Sequence, residues 1–275
     1  VSARRGAPLL GALLPEGAYG AEETGDPEPA GLFPEEAALV ARATPGRRRE
    51  FTTARLCAHR ALAALGVPRA PLLRGRRGAP AWPAGTVGGL THCAGFRGAA
   101  VAPAARFLAL GIDAEPHAPL PPGVRGAVAF GPEPARLREL AARRPDIAWD
   151  RLLFSAKESV YKAWSGCGGA WLGFEDVEVA WEAAPEEAPD PSPGTDTDDP
   201  AATGRFRARL LVPPPEPASP GTPPGPCRLP SLLRGRWLVR DGLLLTSVAV
   251  PRPVPRPHRH PYPYPSRTAP KESAR

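Results

Sequence analysis

The sequence lacks several features that would narrow its function at once. No run of about 18 or more consecutive apolar residues occurs, so nothing in it reads as a membrane span. No pair among Cys57, Cys93, Cys167 and Cys227 has C-x-x-C spacing, which removes the commonest zinc and redox sites. Neither G-x-x-x-x-G-K-[ST] nor G-x-G-x-x-G is present, so the usual glycine loops that cradle phosphates are missing. Aromatics make up only 7%, and no zinc-finger or RRM signature accompanies the basic charge; both argue against a sequence-reading nucleic-acid protein. No internal repeat is visible.

A secretory signal is also poorly supported. Arg4 and Arg5 precede a short apolar stretch, Ala7 to Leu14, but Pro8 interrupts it and Pro15 and Glu16 close it. With no signal, four free thiols in a reducing cytoplasm are the expectation for the cysteines.

Proline, by contrast, is abundant, with 40 in 275 residues. Many fall late in the chain, in linkers and a tail rather than in a core. Hydrophobic residues at 42% and charged residues at 23% are ordinary for a globular protein, and the length allows one large domain or two small ones. The formal net charge is +7. The tail from Pro251 contributes +5 and the acidic segment Trp181 to Thr203 contributes −7, which leaves +9 on the remainder. A basic folded part favours an anionic partner: nucleic acid, a phosphorylated cofactor or an acidic protein.

The first 30 residues show no pattern and read as irregular. Helices are predicted over Pro34 to Ala43, Arg47 to Leu65, Arg136 to Arg144 and Trp149 to Trp164. Strands are predicted over Val87 to His92, Gly98 to Ala102, Phe107 to Ile112, Phe174 to Trp181, Arg205 to Val212, Gly235 to Val239 and Leu243 to Val250. Residues 182–204 and 213–230 read as Pro-rich insertions with mobile loops, and 251–275 as a disordered Pro/Arg-rich tail.

Two segments carry chemistry. Asp113-Ala-Glu115 follows an apolar strand, and residues i and i+2 of an extended chain point the same way, so two carboxylates stand together. Such a pair is often a solvated turn. The second segment is Phe154-Ser-Ala-Lys-Glu-Ser-Val-Tyr-Lys-Ala163. In a plain structural reading, Ser155 and Glu158 have capping-box spacing, and Glu158 and Lys162 form an i,i+4 surface pair. In a functional reading, Glu158 is a third carboxylate beside Asp113 and Glu115. Such an oxygen-only set suits Mg²⁺, which takes its remaining ligands from water and phosphate.

Together these segments closely resemble the Sfp-type 4′-phosphopantetheinyl transferases of actinobacterial type. Gly111-Ile-Asp-Ala-Glu115 matches that family's G-[IV]-D-x-E, and the second segment its [FW]-[SC]-x-K-E-[SA]-x-x-K-A about forty residues later. Arg48 to Ala58 is similar to its arginine-bearing helix, Gly78-Ala-Pro-Ala-Trp-Pro83 to its G-x-P-x-W-P loop, and Thr91-His-Cys93 to its [ST]-H-[CST] turn. Trp171 to Asp176 and Gly235-Arg-Trp237 continue the likeness, which covers roughly Phe33 to Val250. Two departures stand out. His59 falls where relatives carry arginine and is expected to face solvent. Arg74 falls where lysine is common.

The resemblance implies an α+β fold of two similar halves related by a pseudo-twofold axis, with the active site at their interface. The expected N-terminal half is 1–104 and the C-terminal half 105–250. It implies transfer of the 4′-phosphopantetheine arm of coenzyme A to a serine of an acyl or peptidyl carrier protein of fatty acid, polyketide or nonribosomal peptide synthesis. Adenosine 3′,5′-bisphosphate leaves. Asp113, Glu115 and Glu158 would hold Mg²⁺, or Mn²⁺ in its place, with Glu158 also the base. Lys157 and Lys162 would neutralise pyrophosphate charge. Arg48 and Arg55 would grip the 3′-phosphate; Arg74, Arg77, Thr91 and His92 would complete the coenzyme site. Trp82 reads as packing and Cys93 as a small buried residue rather than a nucleophile. A cytoplasmic monomer is expected, with neither membrane nor nucleic acid as partner. The rival readings are another Mg²⁺-dependent phosphotransferase and a basic nucleic-acid-binding module.

Overall fold

The computed structural model describes residues 8–27, 31–75, 78–169, 171–182, 202–213 and 228–253. They form an α+β fold with two antiparallel sheets. The first has the order β1 (Tyr19–Thr24), β3 (Phe96–Pro103), β2 (Thr86–Cys93). The central strand, β3, is buried along nearly its whole length, and its alanines let a helix lie close. That helix is α3 (Pro45–Ala64), which sets Cys57, Ala58, Ala61 and Leu62 against Ala99 and Val101. Pro45 at its first position and the Thr44 hydroxyl, which accepts from Arg47 N, start it where the chain favours a helix. The short helix α2 (Pro34–Ala38) precedes it and stops five residues earlier than the predicted Ala43.

The second sheet runs β4 (Phe107–Pro116), β8 (Leu243–Pro251), β7 (Leu232–Arg240), β6 (Ala202–Leu210), β5 (Val177–Trp181). One face is covered by α6 (Trp149–Gly166), whose Leu152, Leu153, Ala156, Val160 and Trp164 enter the main core with Val179, Phe206 and Val248. The small helices α4 (Val124–Val128) and α5 (Glu133–Arg143) close the end of that core. Trp149 packs edge-on against Trp181 and Trp237, with ring centroids 5.5 and 5.6 Å apart. Among the described residues no helix is long and apolar enough to cross a membrane.

Several expectations fail for identifiable reasons. The N-terminal stretch is not irregular: α1 (Leu9–Leu13) and β1 form there. A five-residue helix is too short to show periodicity, and its cap comes from elsewhere. Leu9 N and Leu10 N donate to the Glu22 carboxylate at 2.7 and 2.8 Å. Its leucines pack with Leu110, Ile112 and Leu245 of the second sheet, so the N-terminal residues serve both halves. β4 continues to Pro116, which puts Asp113 and Glu115 inside the strand rather than after it. Ser155 caps nothing: α6 begins six residues earlier, and the buried Ser155 hydroxyl meets Thr246 Oγ1 at 3.0 Å. His59 does not face solvent. It bonds Glu36 Oε1 at 2.9 Å and lies edge-on to Phe33. Cys57 and Cys93 are free thiols, but Cys167 is disulfide-bonded, against the expectation of four free thiols. Residues 202–204, read as insertion, belong to β6, and Glu182, the first residue of that insertion, bonds Arg207 Nε; residues 183–201, most of the second insertion and the tail beyond 253 lie outside the described residues.

Candidate active site

A cleft of about 820 Å³ separates α3, the 74–82 loop and β2 on one side from β4 and α6 on the other. Glycine sets both close approaches behind it. At Gly89 a Cβ would stand 3.2 Å from Ile112 N and 3.4 Å from Leu110 O, so a side chain there would crowd the approach of β2 to β4. At Gly111 a Cβ would overlap Ser159 O and lie 2.7 Å from Ala163 N. The bare backbone at Gly111 therefore lets α6 rest directly on β4. Asp113 and Glu115 follow on the same strand face, and Glu158 and Lys162 flank Ser159 and Ala163 on the helix.

These four groups form a tightly charged cluster. Lys162 Nζ donates to Asp113 Oδ1 at 2.6 Å, so Lys162 pairs across the interface rather than with Glu158 on its own helix. Thr91 Oγ1 accepts from Ala114 N at 2.9 Å and donates to Asp113 Oδ1 at 3.4 Å, which ties β2 to the carboxylate. Asp113 is only 5% exposed, and its Oδ2 has no hydrogen-bond partner. Arg151 Nη1 holds Glu115 Oε2 at 2.8 Å. Burial pushes the Glu158 carboxyl above the usual range; Asp113 and Glu115 add to the rise while Lys162 opposes it. Burial and then Asp113 likewise raise Glu115, against the pull of Arg151.

Among the described residues no group of three or more His, Cys, Asp or Glu side chains stands close enough to hold a metal ion. The expected single shell of Asp113, Glu115 and Glu158 is thus not assembled in this arrangement. Arg151 draws Glu115 aside, and Lys162 takes one oxygen of Asp113. The donor chemistry nonetheless fits a hard divalent cation: the ligand atoms are all oxygens, one buried oxygen is orphaned, and the carboxylates repel one another.

The opposite wall is cationic. Arg47, Arg55 and Arg74 all line the cleft. Arg55 is 4% exposed, its Nε has no hydrogen-bond partner, and its guanidinium lies 4.4 Å from the centroid of the Phe51 ring. Burial lowers its pKa; Glu36 opposes this, and Arg74 and Arg47 lower it further. Three guanidinium groups on one wall, offset only in part by Glu36 and Glu50, favour an anion in the cleft. Arg47 Nη1 meets His92 Nε2 at 3.2 Å. Partial withdrawal from water, reinforced by Arg47, lowers the His92 pKa. The neutral ring therefore accepts on Nε2 and keeps its proton on Nδ1.

A cleft with three arginines on one wall and Lys162, paired with Asp113, on the other is the arrangement to set beside known proteins. Residues 35–102 match the 4′-phosphopantetheinyl transferase N-terminal domain, and residues 109–200 match the 4′-phosphopantetheinyl transferase superfamily. The 4′-phosphopantetheinyl transferase Svp of Streptomyces mobaraensis is 50% identical over 245 residues, covering 88% of this chain and 89% of the relative. PptT of Mycobacterium tuberculosis is 43% identical, covering 89% and 97%, and Npt of Nocardia iowensis 42% identical, covering 88% and 99%. The chain belongs to the 4′-phosphopantetheinyl transferase superfamily.

Within this transferase the site residues expected from sequence do not all converge. Lys157 is a correction. Its ammonium is buried away from the cleft and donates to Glu133 Oε2, Val128 O and Phe174 O at 2.7 to 2.8 Å, so all three donors are spent on the fold. Arg48 is another. It shares a helical face with Arg55, but its exposed guanidinium folds back onto Ala43 O at 3.2 Å, and Arg47 takes the cleft wall instead. Thr91 is buried and engages Asp113, acting as a support for the carboxylate. Arg55, Arg74, His92 and Lys162 line the cleft, Asp113 and Glu158 lie behind Lys162 rather than on the lining, and Arg77 lies outside the described residues.

Sequence reasoning passed over two features. Arg47 follows the helix start by two residues, where side chains of the first turn compete for the preceding carbonyls, so spacing alone could not choose it. Tyr161, next to Lys162, lines the cleft and lies 5.6 Å from Trp171, which is 78% exposed; a bulky aromatic left in solvent beside a cleft has a reason only in three dimensions. Cys93 is half-buried rather than buried as expected, but partial burial, with Glu115 and Asp113, pushes its thiol up to about 11, which leaves little thiolate for nucleophilic chemistry near neutral pH.

Proposed function

We propose that this chain transfers the 4′-phosphopantetheine arm of coenzyme A to a serine hydroxyl of an acyl or peptidyl carrier protein. The observation that carries this reading is the opposition, across one cleft, of Arg47, Arg55 and Arg74 to Lys162, whose ammonium holds Asp113 of the carboxylate cluster behind it. The arginine ring suits the adenosine 3′-phosphate, with His92 held by Arg47 as an additional donor through Nδ1. Tyr161 and Trp171 offer an apolar surface to the pantetheine arm.

In the reaction, the serine oxygen attacks the β-phosphorus, the P–O bond to the α-phosphate oxygen breaks, and adenosine 3′,5′-bisphosphate leaves. Glu158, whose pKa lies above the usual carboxyl range, takes the serine proton directly or through a water. Lys162 neutralises charge on the leaving pyrophosphate oxygens; its pairing with Asp113 keeps the ammonium aimed at the cluster. Asp113, Glu115 and Glu158 would hold Mg²⁺, which when bound offsets pyrophosphate charge. Both walls lie on one chain, which suits a monomer, and coenzyme A and its carriers suit a cytoplasmic setting.

The test is mass spectrometry of apo-carriers from fatty acid, polyketide and nonribosomal peptide systems incubated with coenzyme A and Mg²⁺. A mass gain of one phosphopantetheine, abolished by EDTA, is expected on at least one carrier. No gain on any member of the panel overturns the reading.

A further inference from the structure

Glu36 touches no reacting group, yet three segments meet on it. It sits on α2, is fully buried and is not part of the cleft lining. Its Oε1 accepts from Leu72 N at 2.9 Å and bonds Nε2 of His59, on α3, at 2.9 Å. Its Oε2 accepts from Phe33 N at 3.2 Å, which closes the start of α2. The same Oε1 stands 3.9 Å from Arg55 Nε, one turn before His59 on α3. That is close enough to attract and too far to hydrogen-bond, so the attraction spends none of the arginine's donors. Leu72 is the root of the 74–82 loop: two residues on, Arg74 bridges to Pro80, and Ala81 N donates to Leu73 O at 2.9 Å. One buried carboxylate thus joins the helix that carries Arg55 to the loop that carries Arg74.

We propose that Glu36 is a positioning residue for the 3′-phosphate of coenzyme A, a carboxylate away from the cleft lining that sets the separation of Arg55 and Arg74. This rests on the coenzyme reading above. Leu72 packs with Cys57 and Ala58 of α3, a contact that resists separation but not sliding. The shared oxygen adds direction, because a hydrogen bond weakens steeply off its axis. Reach matters here, not charge. The negative charge of Glu36 offsets part of Arg55 and so works against binding an anion. The length of the side chain, in contrast, is what lets one oxygen meet Leu72 N and His59 together. Arg55 and Arg74 are long and take up part of any shift, so loss of the pin weakens the grip several-fold and does not abolish it.

The experiment is calorimetric titration of the full chain with coenzyme A and with 3′-dephospho-coenzyme A, joined to steady-state kinetics, with urea unfolding as the fold control. Glu36→Asp keeps the charge and withdraws the oxygens by about one C–C bond, ~1.5 Å. It should weaken coenzyme A binding by about fivefold or more and raise the KM for coenzyme A by a similar factor. The kcat and the affinity for the dephospho ligand should each change by less than about twofold, a split that a purely structural carboxylate would not give. Glu36→Gln keeps the reach and loses the charge, and should bind coenzyme A within about twofold of the unsubstituted chain. Equal losses for the two ligands in Glu36→Asp, or a loss in Glu36→Gln as large as that in Glu36→Asp, overturn the inference. If Glu36→Asp does not fold, Glu36→Met, which fills the volume without an acceptor, carries the same expectation and is overturned by the same outcomes. Equal affinity of the unsubstituted chain for the two ligands, or binding of neither, overturns the coenzyme reading of the arginine wall itself, and the inference with it.

Discussion

The two walls of the cleft are built on different principles. The wall from the first half gathers arginines. Arg55 is buried under Phe51 with an unpartnered Nε, near Arg47 and Arg74, and its long side chain comes from a helix that needs little precision. The wall from the second half gathers carboxylates on a strand and a helix that touch through backbone at Gly111. On each wall the charges are partly paired within their own half: Arg47 with Glu50 and Arg55 with Glu36 on one, Lys162 with Asp113 and Arg151 with Glu115 on the other. Guanidinium groups at the ends of flexible side chains suit holding an anion. Short carboxylates on rigid backbone suit holding a reacting centre within a few tenths of an ångström. The difference separates binding from chemistry, and substitutions can break or sharpen it.

The largest effect is expected at Glu158. Glu158→Gln should lower kcat by about a thousandfold with an unchanged circular dichroism spectrum, since it removes the base and a charge at the reacting centre. A loss confined to the KM for coenzyme A would erase the distinction between the walls. Next come the two lysines of α6. Lys157→Ala leaves Glu133 buried and unpaired and should cost about 3–5 kcal/mol in urea unfolding. Lys162→Ala, at an exposed edge of the cluster, should cost much less stability and most of the activity. Equal destabilisation by the two would mean that both are structural.

Gly111→Ala should come third. Overlap with Ser159 O forces α6 off β4, at a cost of about 1–3 kcal/mol in stability. Activity should fall further than that stability loss explains, because Glu158 moves with the helix; unchanged kcat in this variant would break the link between the backbone contact and the chemistry. The smallest effects belong to the arginine wall. Arg55→Ala and Arg47→Ala should each weaken coenzyme A binding by about tenfold in calorimetry, and the loss should shrink for an analogue lacking the 3′-phosphate. Arg48→Ala should stay within about twofold. A reversal of the Arg47 and Arg48 results would return the grip to the residue that seven-residue spacing favours.

Legibility in the sequence followed the range of the interactions. The long amphipathic helix of 149–166 and the alternating strand β6 are visible because each contains its own period, and β8 because it is a continuous apolar run. Asp113, Glu158 and Lys162 are visible because their motifs are contiguous. α1 is invisible, since its cap is Glu22 and its packing surface is the far sheet. Lys157 reads like Lys162 in the motif, yet five residues along a helix turn it to the opposite side, where Glu133 waits on another helix.

The order of residues along the chain determined the family, the α+β class and which carboxylates are candidates for the site, because each is written in local pattern: helical and strand periods, and short motifs of fixed spacing. Which lysine faces the cleft, which arginine lines it, and which partner holds Glu115 depended on contacts between residues tens of positions apart. Those contacts arise only when α6 settles on β4 and β2 closes beside it, for no local period records what a side chain will meet across an interface.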